Sequence, residues 1–268
     1  MIKLIAIDLD GTLLTNEKTI SERNKIALLK AKEKGVKVVL CTGRPLVSVQ
    51  NYLQELNLLD AEDYSITYNG GLVQANTGEV LGKTAFSLAE VKDVIELLKS
   101  LDLPTDILSG SSSLQIETSK DHPSIYPSIN QFVTYFDKKE ADLTEEILYN
   151  KVLSATEEDI LNNKIAKIPA AYYDRYEIFK SRPILLEFMP KGVTKAFGLS
   201  VLGKELAIEA SEMMTLGDEA NDLSMIEYAG LGVAMGNATE EVKSLANYIT
   251  GTNQADGVAQ AVEKFVLN

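Results

Sequence analysis

The sequence predicts an α/β fold: a parallel-sheet core domain assembled from both ends of the chain, with a separate α+β module inserted between its halves. Three observations carry this. The chain opens on an almost unbroken apolar run, Ile2–Ile7, that stops at two acids, the look of a strand buried on both faces. That run, a helical stretch after Ser21 and the β-rich Val36–Cys41 have the spacing of a strand–helix–strand unit, which makes the two strands parallel neighbours. The alternation of strands and helices breaks near Thr84 and resumes near Lys191, so residues 1–83 and 191–268 are assigned to the core and 84–190 to the insert.

Each element has its own signal. Side chains alternate along the first strand, so Asp8 and Asp10 are expected on one face at its carboxyl end. Gly11 then lets the backbone turn away and leaves room for a close-approaching anion. Ser21 is a good N-cap for a helix to about Gly35, with Ile26, Ala27 and Leu29 as its apolar face and Gly35 as the C′ residue. Val36–Cys41 ends in Thr42-Gly43-Arg44-Pro45, and Pro45 suits the first turn of a helix through about Leu56. Ser65–Tyr68 is a third strand closed by Asn69-Gly70-Gly71, and Leu72–Ala75 with Glu79–Leu81 forms a hairpin.

In the insert, Ser87-Leu88-Ala89-Glu90 has capping-box spacing and starts an amphipathic helix carrying Val91, Ile95, Leu98 and Leu101. Strands are expected at Leu114–Glu117, Gln131–Tyr135, Lys151–Ser154, Tyr176–Lys180 and Ile184–Met189. A helix opening at Thr156-Glu157 carries Ile160, Leu161, Ile165 and Ile168. Back in the core, helices are expected over Val193–Leu202, through Leu223, Met225 and Ile226, over Glu240–Ala246, and after Asp256-Gly257. Strands there are Met213–Leu216, Gly232–Met235 and Tyr248–Thr250.

The chain has 268 residues, 45% hydrophobic and 24% charged, enough for a substantial core. Lys plus Arg is 26 against 39 Asp plus Glu, a formal charge of −13, which argues against nucleic acid as the main partner. An anionic substrate would have to be attracted locally, by a metal, a lysine and backbone amides. One cysteine, Cys41, excludes an intrachain disulfide, and no stretch has the pattern of a signal peptide or the length of a membrane span. The expectation is a soluble, cytoplasmic protein without a membrane partner. Cys41 reads as a small core residue, and His122, the only histidine, as a surface-loop residue.

Four predicted strand ends collect unusual polar residues: Asp8 and Asp10; Thr42-Gly43-Arg44; Asn69; and Asp218, Asn221 and Asp222. Any one could be turn chemistry. If the strands are parallel neighbours, however, all four lie on one edge of one sheet, where ligands of open α/β sheets bind.

Asp8-Leu9-Asp10-Gly11-Thr12, Thr42-Gly43-Arg44, Lys195 and Gly217-Asp218-Glu219-Ala220-Asn221-Asp222 resemble, in order and spacing, the four motifs of the haloacid dehalogenase superfamily of phosphotransferases. The insert after the second motif resembles the Cof-type branch with a type IIB cap, and within it the whole chain is similar to the YidA-like sugar phosphatases. That resemblance implies a Rossmann-like core and a cap that sets substrate specificity. It implies Asp8 as nucleophile, forming an aspartyl-phosphate. Asp10 would be the proton donor and acceptor. Mg2+ would be held by Asp8, the Asp10 carbonyl and Asp218, with Asp222 in support. The Leu9 and Gly43 amides, Thr42, Lys195 and Asn221 would hold phosphate.

Where the family has Asn-Lys-Gly, this chain has Thr194-Lys195-Ala196, which leaves Lys191-Gly192 as a rival; Lys195 is preferred because Thr194 would cap its helix. Arg44 and Asn69 are expected at the rim, on the organic part of the substrate. The implied activity is hydrolysis of small phosphorylated metabolites, sugar phosphates first, by a monomer or homodimer. A phosphosugar mutase, a phosphatase of flavin- or pyridoxal-type phosphates and a non-catalytic metabolite binder are the alternatives.

Overall fold

A computed structural model describes residues 1–268. Its contacts divide the chain into two compact units, Met1–Lys83 with Thr194–Asn268, and Thr84–Val193.

The first unit begins with β1 (Leu4–Ile7), α1 (Glu22–Glu33), β2 (Lys37–Cys41), α2 (Gln50–Glu55), β3 (Tyr64–Thr67), β4 (Leu72–Ala75) and β5 (Val80–Lys83). In β1, Ile5 and Ile7 enter one apolar cluster and Leu4 and Ala6 another, so the strand is indeed buried on both faces. Ser21 caps α1 through the Asn24 N–H, and Gly35 follows it at φ +82. The buried face of α1 is Asn24, Ala27, Leu28 and Ala31, while Ile26 is 43% exposed, contrary to expectation. The rotation follows Asn24, whose side-chain oxygen accepts the Ala259 N–H from the chain's last helix at 2.8 Å. The helix expected after Pro45 is divided into a 3-10 turn, Leu46–Ser48, and α2 by Val49 at φ −123, a residue drawn into the core.

The second unit carries α3 (Leu88–Ser100), β6 (Thr105–Ser109), β7 (Ser112–Ile116), α4 (Tyr126–Ile129), β8 (Thr134–Lys138), β9 (Lys151–Ala155), α5 (Glu158–Ile165), α6 (Ala170–Arg175), β10 (Tyr176–Arg182) and β11 (Leu185–Pro190). Its sheet runs β10-β11-β9-β6-β7-β8, antiparallel except for β7 with β8. The Ser87–Glu90 capping box is present, and Val91, Ile95 and Leu98 of α3 pack with Val152, Leu186 and Phe188 on one sheet face. The opposite face carries the buried Lys151–Glu187 pair at 2.9 Å. β6 was not expected because Asp106 interrupts its apolar pattern; that carboxylate is satisfied by Ser113 and Gln115, each at 3.0 Å. Pro169 separates α5 from α6, so Ile168 lies beyond the helix that was expected to carry it.

The first unit then resumes with α7 (Lys195–Leu206), β12 (Met213–Gly217), α8 (Leu223–Tyr228), β13 (Leu231–Ala234), α9 (Glu240–Leu245), β14 (Tyr248–Ile249) and α10 (Gly257–Val262). Its sheet order is β14-β13-β12-β1-β2-β3-β4-β5. The six strands from β14 to β3 are parallel, and β4 and β5 add an antiparallel edge. α1 and α10 cover one face and α7 the other. The chain winds outward from β1 through β2 and β3, then returns to β1's other side as β12. That reversal puts a crevice outside the carboxyl ends of β1 and β12. No helix is long and apolar enough to cross a membrane.

Candidate active site

Asp8 leaves β1, and Asp218 and Asp222 follow β12, so the reversal of strand order brings the three carboxylates together. Each offers an oxygen within 4.8 Å of the others, and all three residues are buried. Lys195, in the first turn of α7 and 0% exposed, reaches into this group. Its Nζ donates to Asp8 Oδ1 at 2.6 Å and to Asp222 Oδ1 at 2.5 Å. Thr194 caps that helix through the Phe197 N–H. Lys191 lies elsewhere: it donates to the Tyr173 carbonyl and pairs with Glu177 at 3.3 Å. The other oxygen of Asp222 accepts the Asp218 and Glu219 N–H groups at 2.8 and 3.1 Å, which fixes the fourth-motif turn.

β1 ends at Ile7, and the chain turns at once, with the Leu13 N–H returning to the Asp8 carbonyl. Strand alternation therefore does not reach Asp10. The Asp10 carboxylate is held by Arg44, Nε to Oδ2 at 2.8 Å and Nη2 to Oδ1 at 2.6 Å, and by Lys18 Nζ at 2.8 Å. Arg44, expected to meet substrate, has its guanidinium on Asp10. Gly11 adopts φ +84, and a Cβ there would lie 2.1 Å from Asp218 Oδ2. The glycine thus makes room for a protein carboxylate rather than for an anionic ligand.

Thr42 is buried and its hydroxyl accepts the Arg44 N–H at 3.2 Å. Asn69 is not at an exposed rim. It is 1% exposed and accepts from Asn221 Nδ2 at 3.2 Å, beside Gly43. The sequence reading assigned no role to three polar groups here. Thr12 donates to Asp218 Oδ1 at 2.8 Å, Asn237 donates to the Gly11 carbonyl at 2.8 Å, and Lys18 holds Asp10. Thr12 sits inside the opening motif and could have been found; nothing local marks Lys18 or Asn237. Cys41 is fully buried, and His122 lies in the second unit with its Nε2 3.7 Å from Asp102.

The electrostatics follow from the crowding. Burial pushes the Asp8 carboxyl up to about 7; the Lys195 ammonium opposes this, and the Asp222 charge adds to it. Burial, then the Asp222 and Asp8 charges, push Asp218 up to about 9. For Lys195 burial favours losing the proton, but the Asp222 and Asp8 charges outweigh it and hold the ammonium more firmly than usual. One ammonium thus compensates three clustered carboxylates incompletely. Hard oxygen donors with surplus negative charge fit a hard divalent cation.

A family model described as haloacid dehalogenase-like hydrolase matches residues 5–262. The chain belongs to that family. A Bacillus subtilis (strain 168) candidate phosphatase, YxeH, is 38% identical over 268 residues, covering 100% of this chain and 99% of its own. The 5-amino-6-(5-phospho-D-ribitylamino)uracil phosphatase YcsE of the same organism is 34% identical, covering 99% and 96%. The solved structure of BT4131, described as a subclass IIB sugar phosphatase of this superfamily, superposes with a TM-score of 0.81 at 26% identity, covering 98% of each chain. This haloacid dehalogenase-like hydrolase is accordingly an enzyme of the phosphoric monoester hydrolase class.

Proposed function

We propose that the enzyme is a Mg2+-dependent phosphatase of small phosphorylated metabolites, sugar phosphates first, acting through an aspartyl-phosphate. The observation that carries the reading is the buried group of Asp8, Asp218 and Asp222 with Lys195 bonded to two of its members. Asp8, Asp218 and Asp222 would hold the cation, together with the Asp10 carbonyl. When bound, Mg2+ supplies the positive charge that lets a carboxylate approach a phosphate dianion.

An Asp8 oxygen forms the new bond to phosphorus as the bond to the leaving oxygen breaks, and Asp10 delivers its proton to that oxygen. Water then attacks the phosphorus while Asp10 takes up a proton and Asp8 is released. Thr42, Lys195, Asn221 and the Leu9 and Gly43 amides are the donors for the phosphate oxygens. Asp10 begins as a carboxylate in an ion pair with Arg44 and Lys18, so it must leave those partners and take up a proton from solvent before it can protonate the leaving oxygen. The 84–190 module is assigned the choice of substrate.

The test is inorganic phosphate release from a panel of sugar phosphates, pyridoxal phosphate, flavin mononucleotide and the phosphoribityl substrate named for YcsE. Release that requires Mg2+, vanishes with EDTA and is abolished in Asp8→Asn is expected. Rearrangement of a phosphosugar without phosphate release would replace the reading by the mutase one. Binding without turnover would replace it by the metabolite-binder reading.

A further inference from the structure

We infer that Asn69 is a positioning residue: from a left-handed turn it holds the Asn221 amide and the Gly43 backbone in the places the phosphate needs. The inference rests on the phosphatase reading above and deepens it.

Tyr68, Asn69 and Gly70 adopt φ +50, +54 and +100, three successive left-handed residues directly after β3. Glycine takes this conformation freely and asparagine tolerates it, but for tyrosine it is uncommon and strained. Such a turn persists only where its surroundings over-determine it. Those surroundings are segments of the candidate site. The Asn69 N–H donates to the Thr42 carbonyl at 3.0 Å, and the Tyr68 N–H to the Arg44 carbonyl at 3.4 Å. Asn221 Nδ2 donates to Asn69 Oδ1 at 3.2 Å. A Cβ on Gly43 would lie 2.9 Å from Asn69 Oδ1, so the amide packs against that glycine. A Cβ on Gly70 would lie 2.0 Å from the carbonyl of Thr194, the residue before Lys195.

One turn therefore meets the second motif, the cap of the lysine helix and the fourth motif. Asn69 itself is 1% exposed, which leaves its side chain to act through its neighbours rather than on bulk substrate. Its bond to Asn221 commits one Nδ2 hydrogen and thereby sets the direction of the other.

Asn69→Gly tests this, because glycine keeps the left-handed turn and removes only the side chain. The variant should keep the turn and melt about 2–10 °C below the parent, since a buried side chain and its hydrogen bond to Asn221 are lost without added backbone strain. Its kcat/KM should fall about tenfold, mostly in kcat, as expected for a misplaced transition-state donor. In an Asn221→Ala background the same change should cost less than about twofold, because the partner it positions is already gone. Parental activity in Asn69→Gly, or full additivity with Asn221→Ala, would overturn the inference. A crystal structure of Asn69→Gly gives a readout independent of turnover. The Asn221 amide should leave its parental orientation, and an unmoved amide overturns the positioning role. Absence of phosphate release from the parent would bear on the phosphatase reading alone.

Discussion

Replacing Lys195 by alanine removes the one ammonium inside a group of three buried carboxylates. Lys195 is 0% exposed, so water cannot take over its contacts of 2.6 and 2.5 Å to Asp8 and Asp222. Breaking a buried ion pair from one side costs about 3–5 kcal/mol, most of it the penalty of the stranded charge. At roughly 2–4 °C per kcal/mol for a domain of this size, the metal-free variant should melt about 6–20 °C below the parent at pH 8. The sign of the pH dependence follows from the groups left behind. Lys195 keeps its charge throughout the neutral range, because its proton is held beyond the usual lysine value. Burial pushes Asp8 up to about 7 even with Lys195 opposing it, and higher once Lys195 is gone, so as pH falls Asp8 escapes by binding a proton and the deficit should shrink at pH 5.5. Lys191→Ala is the contrast: its side chain is 52% exposed, and it should cost under about 1 kcal/mol. Scanning calorimetry in EDTA reads both. A Lys195→Ala protein melting within about 2 °C of the parent at pH 8 would refute the reasoning.

Three further outcomes follow from the geometry. Asp8 and Asp218, raised from 3.8 to about 7 and about 9, give the folded metal-free protein more protons than the unfolded chain. Its stability should fall as pH rises from about 4 to about 9, and the stabilisation by added Mg2+ should grow over the same range; a flat profile in thermal melts with and without Mg2+ would contradict this. Gly11→Ala puts a Cβ 2.1 Å from Asp218 Oδ2 at φ +84 and should lower phosphate release by about a hundredfold, whereas a loss below about threefold would show that the turn yields cheaply. Cys41, fully buried with its thiol pushed up to about 12 by burial, should resist an aromatic disulfide reagent at pH 8 in the native protein and react only on denaturation; rapid native labelling would count against the packing.

Much of the fold was legible because it rests on local rules. Apolar runs marked β1 and β2, and Ser21, Ser87 and Thr194 marked helix starts through the N–H groups they satisfy. The order of parallel strands placed four polar strand ends on one edge. What stayed hidden depends on partners far apart in the chain. Ile26 faces solvent because Asn24 bonds a backbone 235 residues away, and β6 was missed because Asp106 is satisfied by side chains on the next strand and beyond.

The same division runs through the site. By itself the sequence determined which acids follow β1 and β12, since strand position is a local property, while the phosphate donors were implied only by its resemblance to a known family. Only the tertiary structure decided that Lys195 joins Asp8 across 187 residues, that Asp10 turns to Arg44 and Lys18, and that Asn69 is buried against Gly43 and Asn221. A side chain's direction after a strand has ended is chosen by the nearest compensating charge or hydrogen-bond partner, and that partner is supplied by the packing of distant segments.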